Sequence, residues 1–337
     1  MNTLICQQPG RFEYKETAFP EVQAGHSLLK IRRIGICGTD LHAFQGTQPY
    51  FSYPRILGHE LAAEIIATDS PDFEVGEAVT VMPYMHCGRC IACSAGKSNC
   101  CENIQVLGVH TDGGMREQLL IPNQYLLKGK GLSLDELALV EPLAIGAHGI
   151  RRADIRDGEW VLVIGAGPIG LGLMAFAKIA GAKVIAMDVN EMRLSFCKEK
   201  IGIEKLVNPS NGEAIQAIKE ITGGEMPTVV IDATGNLAAI NDGFRYLAHT
   251  GRYVLVGLQK GEISFSHPEF HKREATLMSS RNATKQDFEW VMDCLKSGKI
   301  SPQHFITHRA KFEEVQSMFA DWLDPANGVV KAMVEVN

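Results

Sequence analysis

Trp160-Val161-Leu162-Val163-Ile164, followed at once by Gly165-Ala166-Gly167-Pro168-Ile169-Gly170, is the stretch from which the fold is read. The first five residues are apolar and rich in β-branched side chains, and the turn Asp157-Gly158 precedes them, so they read as a buried parallel strand. A helical stretch, Leu171 to Ala180, comes next, then a second strand, Lys183 to Met187, ending in Asp188. A lone glycine fingerprint says little, but strand, glycines, helix, strand and terminal acid in this order spell a dinucleotide-binding βαβ unit. Gly165 permits the tight turn, Gly167 lets the backbone approach a pyrophosphate, and Gly170 lets helix and strand pack closely. Pro168 and Ile169 belong to the same loop, and the helix N-terminus beyond offers free N–H groups to phosphate. The Asp188 carboxylate suits two ribose hydroxyls and repels a 2′-phosphate; Val189-Asn190 supply no adjacent arginine, and Arg193 comes one turn into the next helix. NAD is therefore the expected cofactor. Two more apolar strands, Thr228 to Ile231 and Tyr253 to Val256, make Ala233, Thr234, Val256 and Gly257 strand-end candidates for the rest of the dinucleotide.

The chain around this unit has 337 residues, enough for about two domains, with 45% hydrophobic and 21% charged residues, which excludes disordered and fibrous classes. A net charge of −6 with thinly spread basic residues argues against a nucleic-acid partner. No charged segment leads into an apolar run near Met1, and the most apolar stretch, Ile169 to Ala177, is too short to span a bilayer, so a cytoplasmic, membrane-free protein is expected. Before Asp157 the chain reads as short strands and turns, such as Glu74 to Val81. After about residue 287 come helices Asp287 to Lys296 and Phe312 to Trp322, then a strand, Val329 to Glu335. No flexible linker separates these regions.

Nine cysteines are present, and four of them crowd together as Cys87, Cys90, Cys93 and Cys101, with Cys100 beside the last. Such spacing wraps one tetrahedral zinc ion in a closed, structural site. On spacing alone either Cys100 or Cys101 completes it. Cys6, Cys197 and Cys294 each lie among apolar residues and read as core. A looser set, Cys37 with His59-Glu60, offers three donors and leaves room for water or a substrate oxygen, as catalytic zinc requires. Glu141, in Val140-Glu141-Pro142-Leu143 at the start of an expected helix, is a fourth candidate.

Together these motifs resemble the zinc-containing medium-chain dehydrogenase/reductase superfamily along essentially the whole chain. The resemblance rests on Gly35-Ile36-Cys37-Gly38-Thr39-Asp40, Gly58-His59-Glu60, the Cys87 to Cys101 lobe, Glu141-Pro142-Leu143 and Gly165 to Gly170. It implies an α/β protein: a mostly-β GroES-like catalytic domain over 1–147, completed by 288–337, and a doubly wound parallel-sheet Rossmann domain over 148–287. It implies two zinc ions per chain, with Cys101 rather than Cys100 in the structural site. Cys37, His59 and Glu60 would hold the catalytic ion, with Glu141 acting through water or exchanging with substrate, and Asp40 would orient His59. Thr39 would take the substrate proton and His42 pass it to solvent, through the cofactor ribose. Relatives imply a homodimer or homotetramer built through the Rossmann domain. Two family positions depart, Ala63 for a glycine and Gly76-Glu77-Ala78-Val79 for the usual Gly-Asp-Arg-Val, and neither touches the metal sites. A narrower likeness, Phe270 to Glu274 with Ser279 to Asn282, is to bacterial galactonate, gulonate and idonate dehydrogenases and the starvation-sensing group. It implies oxidation of a secondary alcohol of a polyol or sugar acid. Arg281 or Arg273 would pair with a substrate carboxylate, although a surface ion pair is the simpler reading. Threonine-type or simple alcohol dehydrogenases are the alternative enzymes, and a silent NAD- or zinc-binding regulator is the alternative class.

Overall fold

The computed structural model describes residues 1–48 and 51–337. They divide into two compact units, Leu143–Asn282 and Met1–Pro142 with Ala283–Asn337. The sequence-based boundaries fall slightly downstream of both junctions, the first of them inside the helix Leu134–Ala153.

In the unit Leu143–Asn282 a six-stranded sheet runs in the order Lys205–Val207, Lys183–Met187, Trp160–Ile164, Val229–Asp232, Arg252–Leu255, Thr276–Ser279. Every pairing is parallel. Its inner strands are apolar on both faces because helices cover both, and Leu162, Ile185, Val230 and Tyr253 pack with Ile218 and Tyr246 in one core. Chain direction across the sheet reverses between Trp160–Ile164 and Val229–Asp232, and such a switch point leaves a crevice at the strands' carboxyl ends. The glycine loop opens there, with helix Pro168–Ile179 starting at Pro168.

The other unit holds a seven-stranded sheet. Its path is Ile306–Lys311, Lys331–Glu335, His26–Gly35, Glu60–Thr68, Ala78–Val81, Leu126–Lys128, with Gln118–Pro122 also paired to His26–Gly35. The C-terminal strand thus lies inside this unit: Met333 pairs with Gly35, and Gly35 with Glu60. That register positions the site described below.

Two sequence expectations need correction. Glu141 does not open a helix; it lies well inside Leu134–Ala153, and Pro142 is interior too. The true start is marked by Ser133 and Glu136, whose side chains and backbone N–H groups bond reciprocally at 2.7 and 3.3 Å. In the stretch Glu74 to Val81 only Ala78–Val81 is strand, because Glu77 N–H turns back to the Glu74 carbonyl at 3.1 Å. Among the described residues no helix is long and apolar enough to cross a membrane.

Candidate metal centres and dinucleotide site

The Sγ atoms of Cys87, Cys90, Cys93 and Cys101 all lie within 4.8 Å of one another, while Cys100 is exposed and outside the set. A short hairpin, Tyr84–Met85 with Gln105–Val106, and the one-turn helix Ile91–Ser94 bring them together. Backbone N–H groups of Arg89 and Cys90 pull Cys87 down to about 6, whereas desolvation and neighbouring Cys90 push Cys93 up to about 12. Four thiols this close cannot all ionise without a cation among them, and four sulfur donors suit tetrahedral zinc.

Cys37, His59 and Glu60 form the second set, again with donor atoms within 4.8 Å. Cys37 caps the helix Gly38–Gln45, and His59-Glu60 enters the strand Glu60–Thr68. Asp40 ties the two segments: its Oδ2 accepts from Cys37 N–H at 3.0 Å and its Oδ1 from Gly58 N–H at 3.2 Å. His59 Nδ1 lies 3.8 Å from Asp40 Oδ1 and is buried with no hydrogen-bond partner. Burial alone would lower the His59 pKa, yet Asp40, Cys37 and Glu141 hold it well above the ordinary value. So much negative charge around one buried imidazole, with the sulfur of Cys37 and a Glu60 oxygen converging on it, fits a divalent cation held by Cys37, His59 and Glu60.

Glu141 stands outside that donor set. It is buried, and the Tyr84 hydroxyl donates to its Oε1. Burial pushes its carboxyl up to about 7, with His59 opposing and Glu60 reinforcing. Thr39 is half-buried on the helix Gly38–Gln45, one turn before the exposed His42.

In the parallel-sheet unit, the cofactor candidates gather along the carboxyl edge of adjacent strands. Gly165 turns at φ +99°, and the free space at Gly167 leaves the loop open to an approaching group. Asp188 braces this loop, accepting from Ala166 N–H at 2.7 Å and Asn190 N–H at 2.9 Å, with Arg193 4.0 Å away. Thr234 donates from Oγ1 to Asp232 at 2.7 Å, and the N–H groups of Val256 and Gly257 reach the Asp232 carbonyl at 2.9 and 3.1 Å. Arg273 is committed elsewhere, to Glu269 at 2.8 Å and to the Leu247 carbonyl at 3.0 Å, the simpler of the two readings of its role.

Comparison with known proteins settles the family. Residues 23–131 match the alcohol dehydrogenase GroES-like domain and residues 168–297 the zinc-binding dehydrogenase domain. The L-galactonate-5-dehydrogenase of Escherichia coli K12 is 46% identical over 93% of this chain and 92% of its own. The chain is a zinc-binding medium-chain dehydrogenase. It is an NAD-dependent alcohol/polyol dehydrogenase family enzyme, of the polyol and sugar-acid type. The 2-dehydro-3-deoxy-L-galactonate 5-dehydrogenase of Pseudoalteromonas atlantica is 33% identical over 94% of this chain and 93% of that one. The alcohol dehydrogenase RspB of E. coli CFT073, solved with NADH, superposes with a TM-score of 0.91 at 31% identity, covering 99% of both chains.

Three residues of the dehydrogenase escaped the sequence reading. Tyr84 holds Glu141, Asp232 knots the strand-end loop through Thr234 and Gly235 N–H groups at 3.1 Å, and Lys331 lies buried against Glu60. Asp232 was the most legible, as an acid closing an apolar strand. Lys331 sits in an apolar C-terminal strand where lysine reads as a solvent-facing residue.

Proposed function

We propose that this enzyme oxidises a secondary alcohol of a sugar acid, of the L-galactonate type, to the ketone, with NAD as hydride acceptor and two zinc ions per chain. The observation that carries the reading is the set of half-buried Cys37 with buried His59 and Glu60, tied by Asp40, in a chain 46% identical to an L-galactonate-5-dehydrogenase. Bound zinc would polarise the substrate hydroxyl as a Lewis acid, and NAD would take the hydride. Cys37, His59 and Glu60 hold the ion, and Asp40 fixes the spacing of the two segments that carry them. Thr39 would relay the proton lost by the hydroxyl, taking it up as its own hydroxyl proton passes on through the cofactor ribose, and exposed His42 would deliver it to water. The glycine loop with Gly165, Gly167, Pro168, Ile169 and Gly170 takes the pyrophosphate, Asp188 the adenosine ribose with Arg193 beside it, and Ala233, Thr234, Val256 and Gly257 the remainder. Cys87, Cys90, Cys93 and Cys101 hold the structural ion.

Free thiols and thiolate-rich sites suit a reducing compartment such as the cytoplasm. A homodimer or homotetramer joined through the Rossmann domain is supported by Thr276–Ser279, an exposed edge strand of the six-stranded sheet with Leu277 39% exposed.

The substrate class is tested by ranking kcat/KM over aldonates, polyols, L-threonine and simple alcohols. An aldonate is expected to lead; a lead by L-threonine or a simple alcohol contradicts the assignment. Cofactor choice is tested at Asp188. Asp188→Ser is expected to shift the NADPH-to-NADH affinity ratio toward NADPH by about tenfold or more, the equivalent of ~1.4 kcal/mol. The ratio is the quantity to read in fluorescence titrations, because losing the brace on Ala166 weakens both ligands. An unchanged ratio removes Asp188 from the ribose site.

A further inference from the structure

We propose that Lys331 is the positioning residue for Glu60 in the catalytic metal site, sharing its carboxylate with the ion and so keeping that ion exchangeable; this rests on the zinc-dehydrogenase reading above. The Nζ of Lys331 lies 2.6 Å from both Oε1 and Oε2 of Glu60 and donates to the Ile36 carbonyl at 3.0 Å. Both side chains are enclosed, at 3% and 0% exposure. Sheet register puts them there. Met333 pairs with Gly35 and Gly35 with Glu60, and Ile36 N–H bonds the Ala332 carbonyl, so Lys331 falls beside the Ile36-Cys37 turn. Gly35 leaves the volume that Glu60 fills: a Cβ there would stand 2.1 Å from Glu60 Oε2.

One oxygen of this carboxylate also faces Cys37 Sγ and the His59 ring, within 4.8 Å. Glu60 therefore serves two cations. An oxygen already bonded to an ammonium is a weaker metal ligand, and the ammonium repels a divalent ion across a dry pocket. Without the ion, Lys331 is what neutralises Glu60. Removing the ammonium then acts on both states in one direction. Metal-free protein is left with an uncompensated buried carboxylate, and metal-loaded protein grips zinc more tightly. Glu141, which accepts from the Tyr84 hydroxyl, stands outside the donor set.

The test uses the zinc-loaded full chain and follows zinc transfer to a chromophoric chelator. The phase belonging to the catalytic site is the one absent from Cys37→Ser. Lys331→Met is expected to slow this phase by about tenfold or more: groups behind a metal ligand change affinity on a scale of about 10- to 100-fold, and here the group removed opposes the ion instead of supporting its ligand. It should also widen the gap in Tm between zinc-loaded and zinc-stripped protein. Lys331→Arg, which keeps the charge, is expected to stay near the wild-type rate. On a Glu60→Gln background, Lys331→Met is expected to slow release far less than it does in the wild-type chain. A wild-type release rate in Lys331→Met overturns the proposal, and so does full slowing that survives Glu60→Gln. If Lys331→Met does not fold, Lys331→Gln must show the slowing, and a wild-type rate in that variant is equally fatal. A wild-type enzyme with no Cys37-dependent phase defeats the zinc reading itself, an outcome visible before any Lys331 variant is made.

Discussion

Cys37→Ser is expected to lower turnover by about a thousandfold or more while NADH affinity stays within a few-fold of wild type. The thiolate is one of three donors in the set Cys37, His59 and Glu60, and a serine hydroxyl is a poor substitute for it. Loss of a Lewis acid forfeits several kcal/mol of stabilisation as the hydroxyl ionises, and each ~1.36 kcal/mol is worth tenfold in rate. The fold should survive, since Cys37 caps the helix Gly38–Gln45 and serine is a good cap. The glycine loop and Asp188 belong to the other compact unit, Leu143–Asn282, which explains the expected indifference of NADH binding. Loss of NADH binding along with turnover would mean that Cys37 acts through the fold rather than through the metal.

The second large effect separates two glycines three residues apart. Gly170→Ala is expected to destabilise the parallel-sheet unit on the order of 3 kcal/mol and to lose NADH binding with it. The added Cβ would stand 1.8 Å from the Gly165 carbonyl oxygen and 2.9 Å from its carbon, both backbone atoms that cannot rotate away. Gly167→Ala should behave differently. Its φ of −76° suits any residue, and nothing lies within 4 Å of the new methyl. Stability should therefore hold, yet NADH affinity should fall by about tenfold, since the methyl occupies space the pyrophosphate would use. Urea unfolding with NADH fluorescence separates the cases. Normal NADH binding by Gly167→Ala contradicts the placing of the pyrophosphate on this loop.

What could be read from sequence follows a physical division. Trp160–Ile164 and Lys183–Met187 were legible to the residue because buried parallel strands are continuous apolar runs closed by glycine or acid. The strands Val229–Asp232 and Arg252–Leu255 sit one residue from their expected limits, as frayed strand ends commonly do. The cysteine lobe was legible because its ligands are close in sequence; spacing left Cys100 and Cys101 open, and the family resemblance pointed to Cys101, whose sulfur joins the other three. Glu141 misled because proline after an acid resembles a helix start, whereas Ser133 and Glu136 mark the real one two turns earlier. Lys331 was beyond reach for a different reason. It meets Glu60 only through the pairing of the last strand with His26–Gly35, a contact across 271 positions that no local pattern announces.

The oxidation is expected to depend on a zinc ion held by Cys37, His59 and Glu60. That dependence is tested most directly by following NADH formation from an aldonate while zinc is stripped from the enzyme and then restored. Activity should fall in proportion to zinc lost from the Cys37-dependent site and return when zinc is added back. Undiminished turnover in protein stripped of that zinc would contradict it.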